Sequence, residues 1–209
     1  MKMKQLKYLM IALGCMAAMS LTSCLESDDN ENTGLTQTQI NQCFTAVRGE
    51  YTGKMIYPSR SALYGTDTID VNWSVGADTM LVLRPFPIRI IAEQVTDTDL
   101  RQALTGLDDT SELKCYLGFY KIETEVQFLV APIKIDFPVF FKEATHTLSV
   151  YFWSNNYSYG FKNVLSGAMG AQIVMAAAYL DNNENTNYIN SSSGALATIP
   201  VVFSTISEQ

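Results

Sequence analysis

From Glu50 to Phe203 apolar and polar positions alternate with period two over long stretches, the signature of half-buried β-strands. Tyr51, Gly53, Met55 and Tyr57 alternate with Glu50, Thr52 and Lys54, and Ile69, Val71, Trp73 and Val75 alternate with Thr68, Asp70, Asn72 and Ser74. Gly76-Ala77-Asp78 turns the chain into a third strand, Thr79 to Arg84, which Pro85 and Pro87 end because proline has no amide to give a ladder. Further strands are expected at Leu113 to Ile122, at Val126 to Ile135 with a bulge at Pro132, at His146 to Trp153 and at Tyr157 to Val164. Turn residues such as Asn155-Asn156 and Ser166-Gly167 separate successive runs closely and predict antiparallel hairpins. In Met169 to Leu180 the run Ala176-Ala177-Ala178 also suits a helix, but the neighbouring strands and the Asp181-Asn182-Asn183 turn favour a strand. A last pair is expected around Tyr188 and from Leu196 to Phe203.

Two stretches follow a helical period instead. Thr36 with Gln39 reads as a capping box ahead of the stripe Ile40, Cys43, Phe44 and Val47, with Gly49 as the stop. Asp97 to Leu104, closed by Gly106, carries acids at its positive end. The absence of strong βαβ alternation disfavours a doubly wound parallel sheet. The expected fold is all-β, an antiparallel β-barrel or a sandwich with one or two short helices, in a single domain over residues 36–209.

The N-terminus is patterned differently. Lys2, Lys4 and Lys7 precede the apolar run Tyr8 to Ala18, the order of a secretory signal, and the run is too short to span a bilayer. Leu21-Thr22-Ser23-Cys24 resembles the lipobox of bacterial lipoproteins, which implies cleavage after residue 23 and lipidation of Cys24. Residues 24–35 then form an acidic tether, Leu25-Glu26-Ser27-Asp28-Asp29-Asn30-Glu31, with too little apolar area to offset its ordering entropy. The acidic cluster behind the cysteine resembles the surface-export signal of Bacteroidetes lipoproteins. That resemblance implies an outer-membrane, lipid-anchored, cell-surface domain, the alternative being the periplasmic face.

Charge and cysteines narrow the partners. Loss of the three signal lysines moves the formal charge from −7 to −10, which disfavours nucleic acid because phosphates would be repelled. Cys15 leaves with the signal, so Cys43 and Cys115 remain in an oxidising compartment. Either they pair, which would add about 4 kcal/mol in the chain-entropy model, or both stay as buried thiols.

Phe44-Thr45-Ala46-Val47-Arg48-Gly49-Glu50-Tyr51-Thr52-Gly53 and Gln172-Ile173-Val174-Met175, together with the lipobox, resemble a family of uncharacterised Bacteroides lipoproteins of about this length. This resemblance implies a location and no activity. Gly49-Glu50-Tyr51 behind a short helix also resembles the Gly-x-Trp entry of lipocalin-like (calycin) barrels, with tyrosine in place of tryptophan. That resemblance implies a calyx around a small apolar ligand.

Catalytic cues are sparse. His146 is the one histidine, and no Gly-x-Ser-x-Gly elbow accompanies it. One histidine and two cysteines cannot build the common zinc sets, so no metal and no cofactor are assigned. Asp181 to Asn185 begins like a calcium loop, but Thr186 and Ser192 stand where glycine and glutamate are needed. Asp67 with Asp70, or Glu123 with Glu125, could serve a glycan hydrolase only if their spacing suited it. The aromatic positions say more. Tyr151 and Trp153 oppose Leu148, Val150 and Phe152, while Tyr157, Tyr159 and Phe161 line one face of the next strand, and Tyr116 and Tyr120 extend the set. If these rings face solvent they form a ligand platform; if both faces are covered they are core. The leading expectation is a non-catalytic binding module for a small ligand or glycan, using Tyr151, Trp153, Tyr157 and Tyr159. The alternative is an accessory lipoprotein docked on an envelope protein complex, and a glycan hydrolase comes third.

Overall fold

The computed structural model describes residues 34–108, 111–154, 156–190 and 195–205, and the described residues from Leu35 onward belong to one compact unit. The signal segment, Cys24, the tether up to residue 33, Asn155 and Ser192 lie outside the described residues. Helix α1 spans Gln37–Val47, α2 Ile88–Gln94 and α3 Thr98–Thr105. The strands are β1 Gly49–Pro58, β2 Thr66–Val75, β3 Met80–Leu83, β4 Leu113–Ile122, β5 Glu125–Pro132, β6 Ile135–Phe141, β7 Ala144–Trp153, β8 Tyr159–Asn163, β9 Met169–Leu180 and β10 Ile199–Thr205.

Eight of the strands close an antiparallel barrel in the order β1-β2-β3-β4-β5-β8-β9-β10, with β10 returning to β1. Strand β9 is long enough to serve two structures. Its first residues, Met169 to Gln172, pair with β8, and Gly170 to Met175 pair with β10 on the other edge. From Val174 to Leu180 it pairs with β7, which carries β6 outward as a hairpin. Helices α2 and α3 cover this hairpin and the adjoining barrel end; Phe86, just before α2, meets Phe152 of β7 edge-on at 6.3 Å.

Helix α1 closes the opposite mouth. Thr36 and Gln39 form the capping box, Cys43 and Val47 are fully buried, and Phe44 meets Phe119 of β4 edge-on at 4.6 Å. Leu35 also packs on the core, so Gly34 emerges beside this mouth. Asp97 caps α3 by accepting from the backbone N–H of Asp99 and Leu100.

Barrel closure decides between the two architectures open to the sequence, and several local readings change with it. Helix α2 was not anticipated: seven residues are too few to show a period, and most of its side chains are buried, which hides any stripe. The expected run from Val126 to Ile135 ends as a strand at Pro132, a separate strand β6 begins at Ile135, and its Pro138 is tolerated because β6 is an edge strand paired only with β7. The ladder irregularity lies between Phe119 and Lys121, whereas Pro132 pairs with Cys115 in register. Tyr188 is not in a strand, although its N–H donates to Ala178 O. Consecutive β7 and β8 do not form a hairpin with each other: β8 pairs with β5 and β9.

Candidate functional site on the barrel wall

Inward-facing positions of the barrel are filled by the chain's own rings. Trp73 stacks on Tyr51 with centroids 5.6 Å apart and meets Phe203 edge-on at 5.1 Å. Phe128 meets Phe119 at 5.8 Å and lies over Gly160, where an added Cβ would come within 2.4 Å of the ring. Met55, Tyr57, Leu83, Met175 and Val201 are fully buried. Tyr51 anchors this packing by donating its hydroxyl to Val47 O at 2.6 Å. The indole N–H of Trp73 is a buried donor with no partner among the described residues. The inward-facing positions named here are thus packed against one another, and the exposed rings of the barrel lie on its outer surface.

On that surface the strand registers align one row across six strands. Gly118 of β4 faces Leu129 of β5, which faces Tyr159 of β8, then Gln172 of β9, Val202 of β10 and Ile56 of β1. Tyr159, Val202 and Ile56 are 46%, 40% and 48% exposed. The next row places Gln127 beside Phe161, whose ring lies over Gly170, and Tyr116 beside Ala131 flanks the row on its other side. Both amides are fixed: Gln172 Nε2 donates to Tyr157 O at 2.8 Å and Gln127 Nε2 to Glu125 at 2.7 Å. The result is a band of half-exposed rings and aliphatic side chains interleaved with two oriented amides.

The four residues singled out from the sequence divide between two places. Tyr157 and Tyr159 are exposed on the wall, and Trp153 adjoins them with its ring 5.9 Å from Tyr157. Trp153 is half-buried and its indole donates to Ala197 O at 2.8 Å, so it supports the band and presents only part of its face. Tyr151 lies elsewhere, against Tyr179 at 5.6 Å, because a register shift between Tyr151 and Phe152 separates it from Trp153. Leu129, Val202 and Ile56 were missed; their alternation was visible, but only register across strands brings them to Tyr159.

Other candidates are engaged structurally. His146 Nδ1 lies 2.6 Å from Asp181, which also accepts from Thr147 N–H, and these contacts hold the Asp181 carboxyl below its usual range. No serine or cysteine among the described residues hydrogen-bonds to that pair. Asp67 is paired with Arg89, Asp70 with Lys54 and Glu123 with Lys121, and no metal-holding group occurs among the described residues. Cys43 and Cys115 are both buried free thiols. Burial pushes the Cys115 thiol far up, and Cys43 is raised by the same cause. Cys43 lies in the mouth closed by α1, while Cys115 is four residues before Phe119, about 13 Å along β4 at strand rise.

Leu63 and Tyr64, 89% and 90% exposed, crown the β1–β2 loop at the other end of the barrel. Glu93 of α2 braces that loop, accepting from Arg60 N–H at 3.1 Å and from Ser61 Oγ at 3.0 Å. Burial alone would raise the Glu93 carboxyl, but these hydrogen bonds outweigh it and hold the group low. A depressed carboxylate contributes stability above its unfolded pKa and loses it as pH falls through the folded value. Glu93→Gln is therefore expected to cost about 1 kcal/mol at neutral pH. The difference from the parent should shrink as pH drops below about 4.3. Urea midpoints of both proteins across pH check this; a difference independent of pH would rule out the carboxylate as the brace.

Residues 46–180 match the family model described as a domain of unknown function, DUF4840. Neither the curated proteins nor the solved structures hold a match to the chain.

Proposed function

The chain belongs to the DUF4840 family, whose description assigns no activity, and we propose that it is an exported, lipid-anchored binding module that reads a glycan with the outer wall of its barrel. Export and anchoring rest on the charge-then-apolar leader and on Cys24 in its lipobox-like setting. The acidic tether favours the cell-surface face of the outer membrane. The observation that carries the binding reading is the row Leu129, Tyr159, Gln172, Val202 and Ile56, flanked by Tyr116 and Phe161. Rings with a polar tip offer an apolar face for the C–H side of a sugar, and fixed amides offer directional donors and acceptors for hydroxyls. The packing of Trp73, Tyr51, Phe128 and Phe203 inside the barrel supports putting such a ligand on the outer wall.

Binding of the mature chain to immobilised polysaccharides tests the reading. Tyr159→Ala is expected to weaken binding about tenfold, the equivalent of ~1.4 kcal/mol for one stacked ring, with an unchanged circular dichroism spectrum. A Tyr159→Ala protein that binds as tightly as the parent would reject the wall as the site. The anchor is tested separately by the mass of the chain purified from membranes, where Cys24 should carry acyl groups and Cys24→Ser should be soluble.

A second reading, docking on an envelope protein, is favoured by the braced loop that presents Leu63 and Tyr64. Apolar knobs held rigidly in solvent suit a partner's pocket.

A further inference from the structure

The barrel has two distinguishable ends, and the N-terminal segment leaves from only one. Strand β1 begins, β8 ends and β9 begins at the mouth crossed by α1, so the turn from β8 to β9 lies at the end where Gly34 emerges. That turn is ordered by its own side chains. Asn163 Oδ1 accepts from Leu165 N–H at 3.1 Å and from Ser166 N–H at 2.9 Å, Gly167 takes a left-handed φ of 74°, and Lys162 Nζ donates to Gly167 O at 2.6 Å. Val164 N–H donates to Thr124 O, tying the turn to the neighbouring β4–β5 turn. The outcome is a fixed apolar tip, with Val164 50% and Leu165 85% exposed. Of the nearby charges, Lys121 pairs with Glu123 at 3.3 Å, and Lys162 is turned back onto Gly167 O with its Nζ 4.6 Å from the centre of the Tyr51 ring.

We infer that the β8–β9 tip, Val164 and Leu165, is a second membrane contact that seats the α1 end of the barrel on the lipid surface to which Cys24 is attached. This rests on the lipid-anchor reading of Cys24. Nine residues lie between Cys24 and Gly34, and the ten steps from one to the other reach at most about 35 Å. The mouth crossed by α1 is thereby confined to the neighbourhood of the bilayer, where an exposed leucine on a rigid turn finds an apolar phase. Leu63 and Tyr64, equally exposed, lie at the opposite end and face away from the lipid in this orientation.

The test imposes the tether, so that it does not depend on acylation. The mature chain, with a histidine tag in place of Cys24, is held on phosphatidylethanolamine and phosphatidylglycerol vesicles containing nickel-chelating lipid and spin-labelled quencher lipid. An environment-sensitive dye is placed at Ser166→Cys or at Leu63→Cys; Cys43 and Cys115 are buried and stay unlabelled. Quenching at position 166 is expected to exceed that at position 63 several-fold, and Leu165→Glu should abolish the difference. Equal quenching at the two ends, stronger quenching at position 63, no quenching at either, or indifference to Leu165→Glu would overturn the inference. Absence of acyl groups on the native Cys24 would instead remove the anchor reading, a result that the mass measurement gives independently.

Discussion

Gly53→Ala is expected to destabilise the domain by about 3 to 5 kcal/mol, at the upper end of what a single added methyl can do. Gly53 faces inward on β1, pairing with Val71 of β2 on one side and Thr205 of β10 on the other. A Cβ built there would lie 1.9 Å from Ser204 O, 2.7 Å from Ser204 C and 3.0 Å from Thr205 Cα. All three are backbone atoms, so no rotamer change relieves the overlap; β10 must move away from β1. That pair is the seam of the barrel, and opening it also exposes two strand edges to other chains. Urea unfolding gives the free energy, and Gly118→Ala supplies the contrast. Gly118 is on the outer wall, where a Cβ would meet only Leu129 Cβ at 4.0 Å, so its replacement should change stability by about 0.5 kcal/mol or less. If Gly53→Ala cost no more than Gly118→Ala, the seam would be slack and closure would contribute little.

The seam also marks where the sequence stops being informative. Strands β1, β2 and β4 were legible because one face of each meets water over much of its length, so that polar and apolar residues alternate, and α1 and α3 announced themselves through capping residues. Strand β9 was harder because its far half is buried on both faces, so Val174 to Leu180 shows no alternation and Ala176-Ala177-Ala178 imitates a helix. Which strand pairs with which was not legible: β8 with β5, and β9 with β7, β8 and β10 at once, are set by long-range packing and not by local turns. The candidate site shares that limit. Alternation placed Tyr157, Tyr159 and Phe161 on one face, but only barrel closure made that face the outside and brought Val202 and Ile56 into their row. Tyr151 and Trp153 looked equivalent at spacing two, and the register shift between Tyr151 and Phe152 sent them to different neighbours.

Asn187→Ala is expected to cost about 3 kcal/mol and to loosen one edge of β9 locally. Strand β10 stops accompanying β9 at the pair Ile199 and Met175, so the β9 edge from Ala176 to Leu180 needs other partners. Residues 187–190 and 195–197 supply them: Ala197 N–H donates to Ala176 O at 2.7 Å and Tyr188 N–H to Ala178 O at 2.9 Å. Asn187, only 3% exposed, completes the edge with its side chain. Its Oδ1 accepts from Ala178 N–H at 3.0 Å and Ile189 N–H at 3.2 Å, while Nδ2 donates to Ala195 O at 2.8 Å and Ala176 O at 3.2 Å. Alanine leaves the two amides without acceptors, and each buried orphan costs about 1 to 3 kcal/mol, while the buried Ala176 O keeps Ala197 N–H as its donor and the exposed Ala195 O turns to water. Asn187→Asp keeps the acceptors but loses both donors and buries a charge, so it should be no better than alanine. Hydrogen exchange separates this account from a general loss of stability. Protection of Ala178 and Ile189 N–H should fall further than that of β1 and β2 amides in the same protein. The Trp153 indole, held by the O of Ala197 whose N–H completes the same β9 edge, should lose protection with them. Uniform loss across the barrel would mean that Asn187 stabilises the whole fold without specifically closing this edge. Local loss would place Asn187 as the residue that keeps Trp153 against Tyr157 and so holds the margin of the aromatic wall in shape.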